Sequence, residues 1–160
     1  MTDFIHCEVA AKPYHYTDCG LDDVWLDGGV EYHETPYGPA TSIHNIDELH
    51  AAIGMSIIRS ESMTGKEFRY LRVELDLSQK ALAVLLRSSE QQIHRWETGK
   101  SDIPGSAEVA LAGYYVESLN PDSRLKELMD QLSELDSSLS ALEARHFTPE
   151  DDNWVISAAA

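Results

Sequence analysis

Along the chain, the hydrophobic pattern changes period once. Up to residue 40, apolar and polar positions alternate in short runs, YHYTDCG and DVWLDGGVEYHE, the period of two expected of half-buried strands. Cys19-Gly20 and Gly28-Gly29 are turn candidates, and YGPATS is expected to close the segment as a loop. The spacing then becomes helical. Ile46, Leu49, Ile53 and Ile57 line one face of a helix predicted to end near Ile58, with Asn45 as its cap. Glu48, three residues on, would complete a reciprocal capping box. RSESM reads as a linker.

From Thr64 the pattern is helical almost throughout. Thr64 can cap a helix that buries Phe68, Leu71 and Leu75. Leu82, Ala83, Leu85 and Leu86 form the apolar face of the next, and Ile93 and Trp96 anchor a third. IPGSAEVALAGYYVESL supplies one more helix or two, starting at Pro104, where a missing amide costs little. After Asn120-Pro121-Asp122, Leu125, Leu128, Leu132, Leu135, Leu139 and Leu142 follow at spacings of 3, 4, 3, 4 and 3, an apolar seam for a partner helix. The seam fits either pairing between two chains or folding back on its own domain. FTPEDDNWVISAAA reads as a flexible tail with Trp154 as its one anchor.

Composition narrows the class. Of 160 residues, 42% are hydrophobic and 25% charged, which is globular rather than disordered. No apolar run approaches the roughly 18 residues of a membrane span, and MTDFIHCEVAAKPYHY lacks the layout of a signal peptide, so a cytoplasmic protein is expected. There Cys7 and Cys19 would be free thiols. The net charge of −16 is unevenly spread. Residues 1–63 carry 2 basic and 11 acidic side chains, 64–118 carry 7 and 8, and 119–160 carry 3 and 9, so phosphate is tolerable only along one face of the middle segment. The acidic flanks suit a basic protein partner, or simply solubility.

No cofactor is implied. Cys7, Cys19, His6, His15 and His33 have metal-binding chemistry, but their spacing fits no closed zinc pattern, and no metal site is expected. Nor does any Cys–His pairing come with an evident oxyanion site, so no catalytic residues are assigned and the chain is read as a binding protein, not an enzyme.

The informative stretch is SQKALAVLLRSSEQQIHRWETG, two short helices split by Arg87-Ser88-Ser89. Two helices joined by a tight turn place the second in a DNA major groove. Leu77 ends one helix and Ser78 caps the next, with Gln79 in its first turn, suited to a phosphate oxygen. Ser89 caps the following helix, so that Glu90, Gln91 and Gln92 project from its first turn and Arg95 lies one turn on. Arg reads guanine bidentately, Gln reads adenine, and Glu accepts from cytosine. His94 is expected at a phosphate or a partner. Alone, the Glu90-Gln91-Gln92 triplet would fit an ordinary solvated face.

Residues 64–118 resemble the Xre/Cro-type helix-turn-helix family, whose signature appears here as LSQKALA, RSS, EQQ and IHRWETGK. Arg87 departs from it, standing where the turn usually has Gly, and is therefore expected to hold a positive φ. The resemblance implies phosphate contacts from Gln79 and Lys100, with Ser78 and His94 added on the residue reading above. It implies base contacts from Ser89, Glu90, Gln91, Gln92 and Arg95, and structural roles for Trp96, Glu97 and Gly99. The layout also resembles MqsA- and HigA-type antitoxins, which put a small N-terminal unit before an Xre domain. The zinc site of the MqsA-type unit uses two CxxC pairs and does not carry over to Cys7 and Cys19.

The expectation is therefore a mainly α protein, an Xre-type helix-turn-helix bundle with a small β-rich α+β N-terminal domain and a C-terminal Leu-heptad helix. Its parts would be 1–60, a DNA-binding domain at 64–118, a dimerisation or packing helix at 121–146, and a tail at 147–160. The function expected is a sequence-specific transcriptional regulator, a repressor or autoregulating antitoxin, binding double-stranded DNA at a palindromic operator as a homodimer. The competing expectation is an acidic adaptor or toxin-neutralising protein with little DNA binding, whose partner would be a basic toxin.

Overall fold

The computed structural model describes residues 12–124, Glu127, 147–150 and 153–156. Short strands β1 (Tyr14–His15) and β2 (Trp25–Leu26) pair antiparallel, as do β3 (Val30–Thr35) and β4 (Gly38–Ile43), with Val30 opposite Ile43. Five helices whose full extent lies among the described residues follow: α1 (Ile46–Ile58), α2 (Gly65–Glu74), α3 (Gln79–Leu85), α4 (Glu90–Glu97) and α5 (Gly105–Ser118). Strands β5 (Phe147–Glu150) and β6 (Asn153–Ile156) form a separate antiparallel hairpin. The fold is mainly α with a small β part.

Three expectations change, and one open alternative resolves. GPATSI is the strand β4 rather than a loop, because β3 offers it an unpaired edge and the turn at Pro36-Tyr37 directs it back in register. Asn45 precedes α1 but sits in the left-handed region at φ 48°, and its side chain caps nothing, so the box with Glu48 does not form. IPGSAEVALAGYYVESL is one helix, uninterrupted at Gly113. The stretch read as a tail contains the β5–β6 pair, since FTPE and NWVI can satisfy each other's backbone groups across a two-residue link. The leucine seam, Leu125 to Leu142, lies outside the described residues, as do His6 and Cys7.

Among the described residues one apolar cluster runs from Tyr16 and Leu21 of the N-terminal segment, through Ile53 and Ile57 of α1, to Phe68, Leu71, Leu82, Ile93, Leu111 and Tyr115. The first helix thus shares its core with the other four, across the boundary that the linker suggested. Gly54 explains the closeness: a Cβ there would stand 2.3 Å from the Tyr115 ring. A polar network reinforces the joint. The Tyr16 hydroxyl lies 2.9 Å from His50 Nε2, and His50 Nδ1 lies 3.0 Å from Glu74 Oε1. Tyr70 and Tyr115 donate their hydroxyls to the His50 carbonyl. Burial first, and the Glu74 carboxylate next, push the Tyr70 and Tyr115 phenols up from their usual range, and burial also raises Tyr16.

Candidate nucleic-acid interface

Helices α2, α3 and α4 each end in the same way. After α2, the amides of Asp76 and Leu77 reach back to the carbonyls of Val73 and Arg72; after α3, those of Arg87 and Ser88 reach Val84 and Ala83; after α4, those of Gly99 and Lys100 reach Trp96 and Arg95. These are Schellman closures, which require a left-handed residue just past the helix. Asp76, Arg87 and Gly99 supply it at φ 54°, 49° and 68°. Arg87 therefore does hold the positive φ expected of it. The chain reverses sharply at Arg87, and α4 starts three residues later at Glu90.

Both helices are capped as read from the sequence. Ser78 Oγ accepts the Ala81 amide at 3.0 Å, and Ser89 Oγ accepts the Gln92 amide at 3.1 Å. Each hydroxyl keeps its own hydrogen to donate outward. Thr64 and Glu67 form a full capping box at α2.

The inner face of α4 is fixed by Ile93 and Trp96, 0% and 6% exposed, with Trp96 edge-on to Phe68. Glu97 adds a polar clamp. Its Oε1 accepts Arg72 Nε at 2.5 Å, and its Oε2 accepts Arg72 Nη2 at 3.0 Å and Gln79 Nε2 at 2.7 Å. The Arg72 and Glu97 side chains are 11% and 3% exposed, and Arg72 Nη1 also holds the Leu77 carbonyl. One bidentate pair thus ties α2, the start of α3 and the end of α4 together. Gly65 brings α2 equally close, since a Cβ there would meet the Trp96 carbonyl at 2.4 Å.

With that side fixed, Glu90, Gln91, His94 and Arg95 are exposed on the outer side, as are Ser89 and Lys100. Gln92 differs. It is half-buried and donates its amide to Ser101 Oγ at 2.9 Å. Gln79 is also half-buried, with one of its two amide hydrogens committed to Glu97. The structure thus groups Ser89, Glu90, Gln91, His94 and Arg95 on one free face and sets Gln92 and Gln79 at its edges. Sequence reasoning assigned Glu97 to structure but gave Arg72 no role. Nothing in the spacing marks that arginine as the partner of a residue twenty-five positions away.

Charge follows the same division. Lys66 is engaged by Asp22 and Arg72 by Glu97. Lys80, Arg87, Arg95 and Lys100 are exposed on or beside the two helices and have no ion-pair partner among the described residues.

The profile of the family described as Helix-turn-helix matches residues 68–114, less than a third of the chain. That stretch covers most of α2, all of α3 and α4 and most of α5, so the two-helix unit built above lies within a segment similar to the helix-turn-helix domains of DNA-binding regulators. No curated protein and no solved structure matches the chain. Among the described residues, no helix is long and apolar enough to cross a membrane, and no group of His, Cys, Asp and Glu is arranged to hold a metal ion.

Proposed function

We propose that the protein is a sequence-specific transcriptional regulator that reads double-stranded DNA with the outer face of α4. The observation that carries this reading is the pairing of a rigidly clamped inner face with an exposed row of Glu90, Gln91 and Arg95. Arg95 and Gln91 read base edges, with Glu90 and the amide of Gln92 beside them. The free hydroxyl hydrogens of Ser78 and Ser89, the second amide hydrogen of Gln79, His94 and Lys100 hold phosphates. Two chains joined through the Leu125–Leu142 seam present two such faces to half-sites roughly 34–36 Å apart on a palindrome.

A gel-shift titration on the DNA upstream of the gene tests this. Arg95→Ala loses about 1–3 kcal/mol on the operator and relaxes one base position, whereas Lys100→Ala weakens all sequences alike and lowers the salt slope by about one. An unchanged titration for Arg95→Ala would remove α4 as the reading helix. Absence of any duplex affinity at low salt would leave the adaptor reading in its place. Light scattering on Leu132→Asp tests the seam: a dimer that persists rules it out as the joint.

The acidic N-terminal segment favours a further reading of the same protein as an autoregulating antitoxin that neutralises a basic toxin. Co-purification with the product of the adjacent small reading frame tests it, and a neighbour that is neither toxic nor retained counts against it.

A further inference from the structure

Two of the most exposed apolar side chains have no part in the DNA reading. Trp25 and Val73 are 57% and 54% exposed, and they line two adjoining hollows between the N-terminal segment and the bundle. At the Trp25 end, a hollow of about 250 Å³ has Leu21, Ile53 and Ile57 as its floor and Asp23 and Glu67 at its lip. Past the shared Leu21, Asp23 and Glu67 it widens into a cleft of about 1000 Å³, which passes Asp18 and Val73 and reaches the α4 exit at Thr98 and Gly99.

The groove is apolar below and negative above. Lys66 and Arg69 are its cations, and Lys66 is already engaged by Asp22. Asp18 and Asp23 have no hydrogen-bond or ion-pair partner among the described residues, and Glu67 uses only Oε2, on the Thr64 amide. A phosphate is repelled by such a lip, and a wholly apolar ligand would strip water from its carboxylates without compensation. A guanidinium or ammonium on an aliphatic stem satisfies both parts: the stem covers the floor while the head sits between carboxylates and over an indole. His15 stacks on one face of Trp25, centroids 4.2 Å apart and planes within 8°, which holds the ring in place.

A single side chain does not fill a groove of this length. We propose that it docks a basic, extended segment of a partner protein, with one Arg or Lys seated against Trp25 between Asp23 and Glu67. The proposal rests neither on an operator nor on a toxin. It is tested by fluorescence anisotropy on the full chain at physiological salt, using a labelled peptide of about nine residues that alternates Arg and Leu. Saturable binding is expected, with none for the same peptide carrying Glu in place of Arg. Trp25→Ala and Asp23→Asn should each weaken it at least about tenfold. Asp47→Asn, the same charge change at the exposed start of α1, should leave it within about twofold. Unchanged thermal midpoints show that the variants are folded. Failure of the basic peptide to bind overturns the proposal, as does an equal loss from Asp47→Asn, which would mean diffuse charge. Spermine or free arginine competing at the concentration of the peptide overturns it in favour of a small-cation site.

Discussion

Glu97 has the largest structural role of any single residue at the interface, because three donors from two other elements converge on its carboxylate in a nearly dry site. Removing one partner of a buried pair leaves the other charge uncompensated, which is far worse than losing the attraction alone. Glu97→Ala is therefore expected to lower the unfolding free energy by about 3–5 kcal/mol. Glu97→Gln, which keeps one acceptor, should lose distinctly less, and urea unfolding of both measures the difference. Gly54→Ala acts by volume instead: its methyl collides with the Tyr115 ring, which is 2% exposed and has nowhere to go. A loss of about 1–3 kcal/mol is expected in the same assay. A value near zero would show that α1 can lift away from α5 cheaply.

The helix ends set the geometry of the helix-turn-helix unit. Three successive helices close by the same backbone device, but only α4 uses a glycine for the left-handed residue. At Arg87 a Cβ crowds its own carbonyl, at a cost of about 1–2 kcal/mol, part of which is offset because Arg loses less backbone freedom on folding than Gly does. Arg87→Gly should thus stabilise the protein by roughly 0.5–1 kcal/mol in thermal unfolding. It also removes one of the four unpaired cations of the α3–α4 unit, so duplex affinity is expected to fall while stability rises. A destabilised variant would mean that the arginine side chain itself holds the turn.

At the scale of the molecule, the N-terminal segment and the bundle are joined by the Tyr16–His50–Glu74 chain and by the hydroxyls of Tyr70 and Tyr115. All three phenols are raised above the ordinary value near 10, so between that value and their own the folded state holds protons that the unfolded chain releases. Stability contributed this way is complete below pH 10 and is lost as the pH climbs above it. Urea midpoints should fall across that range, and Tyr70→Phe should flatten the decline. The distribution of charge also resolves at this scale. Net acidity is carried by the flanks, while four of the five exposed cations of the central domain without an ion pair, Lys80, Arg87, Arg95 and Lys100 but not Arg69, lie on or beside α3 and α4.

Much of this was legible along the chain. Periodicity found α1 to α5 and the alternating N-terminal segment. The caps at Thr64, Ser78 and Ser89 and the burial of Ile93 and Trp96 could all be read locally, because each follows from neighbours within about five residues, whereas the positive φ at Arg87 followed from the family resemblance. Three features depended on the tertiary structure: the left-handed entry at Asn45, the convergence of Arg72 and Gln79 on Glu97, and the groove under Trp25. Each is made by groups brought together from distant parts of the chain or by a chain direction imposed from outside the segment. Spacing in one sequence specifies what a residue can do to its own helix. Which side chain it meets across the core is decided only when the elements pack.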